Sequence, residues 1–158
     1  MVRGAGAHDA FGGAVRTLAG QSEPVARWML AQIPHCRDLP ELYEAIGVLS
    51  NAGDLIGGCL YTDYKPGSRP GLGNLEMWAV GQGRWLDRGV IRELFSYPFN
   101  QCGCHRVTCI TTRKNKPARK LLEKLGFKHE GVIRQGLAPH GDAFVYGMLK
   151  RECRWING

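Results

Sequence analysis

Sulfur and imidazole are the side chains of this sequence most able to hold a metal or form a cross-link. The six cysteines are Cys36, Cys59, Cys102, Cys104, Cys109 and Cys153. No C-x-x-C pair occurs, and the closest spacing is C-G-C, followed directly by His105. A structural zinc site needs four ligands. No fourth partner accompanies Cys102, Cys104 and His105, so the thiols are expected to be free and no metal is expected. Cys59 and Cys109 fall within apolar strand patterns and read as small core residues. The other chemical signal is charge. The net charge is +7, with basic residues clustered between Arg113 and Lys128. Nucleic acid, an acidic protein surface or a phosphorylated cofactor would each suit that balance.

The element that carries this basic cluster is the best specified in the chain. In T-R-K-N-K-P-A-R-K-L-L-E-K-L-G-F, from Thr112 to Phe127, Ala118, Leu121, Leu122 and Leu125 recur at i, i+3, i+4 and i+7. Asn115 is a natural N-cap for the amide of Ala118. Pro117 sits in the first turn, where its missing amide costs nothing. Gly126 supplies the left-handed C-cap, and Phe127 folds back on the last turn.

The remaining pattern alternates helices with strands. Residues Met1 to Gly20 are rich in Gly and Ala and read as a loose N-terminus, with at best a short strand at Ala14 to Leu18. Ser22 is placed to cap a helix that buries Val25, Met29 and Ile33 and stops at Pro34. A second, shorter helix is expected from Asp38 to Ala45. Strands are expected at Ala45 to Ser50 and Leu55 to Tyr64, around the turn N-A-G-D. Another follows at Leu75 to Val80. Arg88 to Tyr97 reads as a helix with Val90, Ile91, Leu94 and Phe95 inward, stopped or kinked by Pro98. Arg106 to Thr112, Lys128 to Gln135 and Ala143 to Leu149 complete the strands. This is an α/β chain, one domain over residues 1–158, with a mixed sheet of six to seven strands flanked by about four helices.

Composition agrees with a soluble protein, with 44% hydrophobic and 22% charged residues. No apolar run approaches the roughly 18 residues of a membrane span. Met1 to Ala10 lacks the apolar core of a signal peptide, so the expected compartment is the cytoplasm, with no membrane partner.

The succession H-R-V-T-C-I-T, N-x-x-A-x-x-x-L-x-x-x-G-F and G-F-K-H-E-G-V-I-R-Q resembles the C-terminal half of the GCN5-related N-acetyltransferases (GNAT). The likeness is greatest to their RimJ/RimL branch, the ribosomal-protein alanine acetyltransferases, and runs from roughly Leu72 to Trp155. It implies transfer of acetyl from acetyl-CoA to an amine, on a small molecule or a protein N-terminus. A homodimer is a further possibility, and nucleic acid is the less favoured partner. The alternative is a catalytically degenerate GNAT-fold module that binds protein or nucleic acid, of phage or mobile-element origin.

The resemblance also assigns residues. The backbone of Trp78, Ala79 and Val80 would meet the pantetheine arm, together with Asn115. Arg84, Arg88, Gly89 and Val90 would hold the pyrophosphate at a helix start, where backbone amides and the dipole favour anions. Arg113, Lys114, Lys116 and Arg119 are candidates for the nucleotide phosphates or a solvated face. The family's loop R/Q-x-x-G-x-G/A reads here as L-D-R-G-V-I. Leu86 and Ile91 replace its outer residues, and Asp87 takes a position that is commonly glycine. Asp87 sets a negative charge where phosphate belongs, and Ile91 is expected to fill space left to backbone and phosphate. Gln82-Gly83 lengthen the loop and are open to taking part. Glu76 is the assigned general base. The family's acid tyrosine, seven residues after the asparagine, is replaced by Leu122. Asp38, Glu41 and Glu44 fall near the expected acceptor entrance, where they suit a cationic amine or simply face solvent. His140 and Asp142 read as turn formers with substrate contact, His105 as a strand cap, and Trp78, Trp85 and Trp155 as core or groove walls.

Overall fold

Pairing between distant segments decides this architecture more than helix propensity does. The computed structural model describes residues 14–33 and 38–157. In order these form β1 (Arg16–Leu18), α1 (Ser22–Leu30), β2 (Tyr43–Leu49), β3 (Leu55–Lys65), β4 (Gly73–Gly81), α2 (Arg88–Ser96), β5 (Cys104–Thr112), α3 (Lys116–Leu125), β6 (Lys128–Ile133) and β7 (Ala143–Leu149). A π-helical turn, Tyr97–Gln101, extends α2, and a 3-10 turn, Lys150–Glu152, follows β7. The strands make one mixed sheet in the order β1-β2-β3-β4-β5-β7-β6. All neighbours are antiparallel except β4 and β5, which run parallel.

Alternation along the strands sends side chains to two apolar layers. One layer joins Cys59, Tyr61, Leu75, Met77, Val107, Tyr146 and Met148 to Val90, Leu94 and Phe95 of α2 and Leu122 and Leu125 of α3. The other places Val25, Ala26 and Met29 of α1 on Ala45 and Leu60. The caps of α3 form as the sequence dictates. Asn115 Oδ1 accepts from the Ala118 amide at 3.3 Å, and Gly126 ends the helix at φ 107°. Leu122 and Leu125 are buried while Leu121 is half-buried.

Trp85 fixes the loop between β4 and α2. Its indole lies flat on the backbones of Gly57 and Gly81, so close that an added Cβ would come within 2.3 Å and 2.1 Å of ring atoms. Only glycine tolerates that approach. The tryptophan is 7% exposed, and the start of α2 follows it three residues later.

Several expectations need correction. The short strand expected within Ala14 to Leu18 is not among these: Arg16–Leu18 forms an edge strand, paired to β2 through Leu18↔Gly47. Residues 1–13 lie outside the described residues, as do Pro34 and Cys36. Ser22 does not cap α1. It lies inside the first turn, where its hydroxyl accepts from the Ala45 amide at 3.1 Å and donates to the Glu44 carboxylate. No helix forms over Asp38 to Ala45. Pro40 lacks an amide, and Tyr43–Ala45 instead pair with Leu60–Thr62 of β3. The described residues therefore hold three α-helices. β6 ends at Ile133, because Gln135 adopts φ 56° in the following turn.

Candidate active site

A gap opens in the sheet where its two parallel strands separate. The β4–β5 ladder runs from Gly73↔Cys104 to Glu76↔Thr108 and then stops. Beyond that point β4 stays paired with β3 as far as Gly57↔Gly81. β5 likewise stays paired with β7 as far as Thr112↔Ala143. The facing edges of 77–81 and 109–112 are left without a ladder. Backbone amides and carbonyls in such a position must find another partner, and an extended ligand with its own amides can supply one. Trp78, Ala79 and Val80 lie on this edge.

Glu76 marks the point of separation. Burial and the neighbouring Asp63 carboxylate, which hydrogen-bonds it, push its pKa up to about 7; contacts with Trp78 and Lys65 act in the opposite direction. A carboxyl poised near neutrality is suited to accept a proton from an amine. Asp63 is a residue that sequence reasoning missed. It stands at φ 56°, where the β3–β4 register shifts between Thr62 and Lys65. Its carboxylate also accepts from Thr62 Oγ1 at 2.8 Å. Trp78 Nε1 lies 3.4 Å from the same hydroxyl, which ties the cluster together.

Beside this cluster lies a cleft of about 500 Å³, lined among others by Glu41, Tyr43, Glu44, Asp63, Tyr64 and Tyr97. Carboxylates and phenols thus face one space. Glu41 and Glu44 reach the site from the start of β2 and the segment before it, and not from a helix.

At the other end of the gap is the N-terminus of α2. Asp87 is its N-cap, and its Oδ1 accepts from the Val90 amide at 2.8 Å. The amide that the resemblance assigns to pyrophosphate therefore already holds a carboxylate. Gly89 is exposed, and a Cβ there would meet only Asp87 Oδ1 within 4 Å, at 3.4 Å. Ile91 corrects the steric half of the sequence argument. Its side chain is 9% exposed and packs in the core with Leu94 and Phe95, so it takes no space from a phosphate. Arg84 and Arg88 are exposed beside this turn.

Asn115 caps α3 through Oδ1, which leaves its Nδ2 available to the gap. Arg119 is committed elsewhere: Nε donates to Tyr146 at 3.1 Å, Nη1 to the Arg113 carbonyl, and the guanidinium lies 4.7 Å from the Phe144 ring centre. Leu122, in the position of the family's tyrosine, is core. His105 Nδ1 lies 2.9 Å from the Gly73 carbonyl, joining the first residues of β4 and β5. Asp142 accepts from the Gln135 amide, the turn-forming role expected of it. The described cysteines, Cys59, Cys102, Cys104, Cys109 and Cys153, are free thiols. No group of three or more possible metal ligands occurs among the described residues.

The site is thus a mixed sheet parted between its two parallel strands, with Glu76 at the fork and the capped starts of α2 and α3 beyond it. Residues 9–128 match the acetyltransferase (GNAT) domain, and the chain belongs to that family, whose co-substrate is acetyl-CoA. It is 32% identical over 74 residues to the putative ribosomal N-acetyltransferase YdaF of Bacillus subtilis (strain 168), covering 45% of this chain and 40% of that one. It is 36% identical over 64 residues to the uncharacterized N-acetyltransferase YoaA of the same organism, covering 39% and 36%. The chain thus matches about two fifths of the length of these relatives. Among solved structures, a mutant of the spermidine N-acetyltransferase SpeG from Vibrio cholerae superposes with a TM-score of 0.69 at 14% identity, over 90% of this chain and 96% of that one. This last likeness concerns the fold.

Proposed function

We propose that this protein transfers acetyl from acetyl-CoA to the nitrogen of a cationic amine. The observation that carries the reading is the Glu76–Asp63 pair, set where β4 and β5 part. The free edges supply backbone partners for the pantetheine arm, at Trp78, Ala79, Val80 and the amide nitrogen of Asn115. Arg84, Arg88 and Gly89 would hold the pyrophosphate, working against Asp87. The thioester carbon then lies near Glu76. Glu76 takes a proton from the ammonium, and the neutral nitrogen then attacks the thioester carbon. The new C–N bond forms, the C–S bond breaks, and the second nitrogen proton passes to the departing sulfur. With that second proton available to the departing sulfur, release of the thiol does not depend on a tyrosine donor. Holding the two reactants in one gap supplies much of the acceleration.

The acidic cleft supports a positively charged acceptor, because Glu41 and Glu44 add carboxylates that the chemistry itself does not need. The Vibrio cholerae neighbour is named for spermidine, which makes that polyamine a natural first acceptor to try, beside a peptide with a free N-terminus. The non-catalytic alternative draws no support from the comparisons. Purified protein is to be incubated with acetyl-CoA and each amine, and the released CoA measured by chromatography, since the protein carries its own thiols. Amine-dependent release that weakens in Glu41→Gln/Glu44→Gln, chiefly through KM, is expected. Release no faster with any amine than without one would refute the reading.

A further inference from the structure

Next to the first turn of α2 lies a second pocket, of about 310 Å³, lined by Arg88, Gly89, Arg92, Arg154, Trp155 and Asn157. Arg88 and Arg92 leave the same face of the helix, about 6 Å apart along its axis. The third arginine comes from the far end of the sequence. Trp155 donates its indole N–H to the Leu125 carbonyl at 2.8 Å, and Arg154 donates from Nη2 to the Lys124 carbonyl at 2.6 Å. Both bonds clamp the C-terminal turn to the last turn of α3. The Arg154 guanidinium also lies 4.5 Å from the Trp155 ring centre, so it is held in place.

That anchoring uses one of the five guanidinium N–H donors. Arg88 and Arg92 have no hydrogen bond or ion pair with any described residue. The carboxylates nearest in sequence are engaged: Asp87 with the Val90 amide, Glu93 with Thr17 and Glu152 with Lys128. Three permanent cations around one concavity repel each other, and a compact dianion with several acceptor oxygens relieves that repulsion.

We infer that this pocket binds a phosphomonoester. Resting on the acetyl-CoA reading above, the group is the 3′-phosphate of the coenzyme. Gly89 connects the two places, since it belongs both to the start of α2 and to the rim of the pocket. Asp87 has claimed the amide that would favour pyrophosphate, and anchoring of the nucleotide end has passed to Arg92 and Arg154.

The test compares CoA with dephospho-CoA, which differs only by lacking the 3′-phosphate, in calorimetric titrations of the full chain at low ionic strength. The natural protein is expected to bind dephospho-CoA roughly tenfold more weakly or worse, as loss of charge-assisted bonds dictates. In Arg92→Ala/Arg154→Ala the two ligands are expected to bind alike. Arg154→Ala gives up the bond to the Lys124 carbonyl while Trp155 keeps its own to Leu125, so a somewhat lower melting temperature is expected, with circular dichroism at the titration temperature matching the natural protein. Arg92→Lys/Arg154→Lys, which keeps the charge, is expected to retain part of the preference. Equal affinities in the natural protein, or a preference that survives the double alanine substitution, overturn the inference while leaving coenzyme binding intact. Failure of both ligands to bind overturns the inference together with the reading on which it rests.

Discussion

Replacing Glu76 by glutamine is expected to move activity and stability in opposite directions. The carboxyl has an ordinary value of 4.5 and is held at about 7 in the fold, first by burial and then by Asp63. Its ionised form is therefore disfavoured in the folded protein. Below pH 4.5 the group is protonated in folded and unfolded chains alike and brings no penalty. As pH rises from 4.5 through 7, the unfolded chain releases the proton first and stability is lost. The full difference corresponds to ~3 kcal/mol. Solvent at the partly exposed edge of the site reduces this, and about 1 kcal/mol is the expected cost at pH 8. Glu76→Gln keeps the shape, removes the charge and the repulsion from Asp63, and is expected to raise Tm by about 2–4 °C at pH 8. At pH 4 the two melting points are expected to coincide. Activity follows the base form: kcat/KM of the natural protein is expected to climb about tenfold between pH 6 and pH 8 and then level off. The variant is expected to lose about 100-fold or more at pH 8, with no such limb. A variant that is no more stable at pH 8, and whose rate still rises through pH 7, would refute the assignment of Glu76 as a strained base.

Three further outcomes are expected. Asp87→Ala loses the cap of α2 and costs about 1 kcal/mol in thermal melts, yet tightens acetyl-CoA binding in calorimetry because Val90 N–H is released and a repelling charge is gone; weaker binding would mean that the carboxylate organises the phosphate loop. Trp85→Ala removes the ring seated on Gly57 and Gly81 and is expected to cost about 3–5 kcal/mol, read from urea denaturation. Leu125→Ala, at the buried end of α3, is expected to cost about 2–5 kcal/mol by the same measurement.

What the sequence revealed was mostly local. The whole of α3 could be read because Asn115, Pro117 and Gly126 act within one turn of where they stand, and its leucines repeat at helical spacing. The inward face of α2, with Val90, Ile91, Leu94 and Phe95, was legible for the same reason. The stretch from Asp38 to Ala45 misled because its start signal is local, whereas Tyr43–Leu49 owes its strand to β3 and β1. Ser22 was misplaced likewise: its partner is Ala45, twenty-three residues away. Ile91 was judged by its place in a motif when helical periodicity already assigned it to the core. Asp63 escaped notice because a positive φ at a register shift turns it toward Glu76, and alternation gives no warning of that. The arginine pocket joins α2 to the C-terminal turn, two segments that only the packed fold brings together.

An amide-resolved NMR titration with acetyl-CoA tests the central claim most directly. Binding in the gap between β4 and β5 predicts the largest shifts at Trp78, Ala79, Val80, Gly89 and the side-chain amide of Asn115, with Arg16–Leu18 and Lys128–Ile133 unmoved. Saturating acetyl-CoA that leaves those amides unchanged would contradict it.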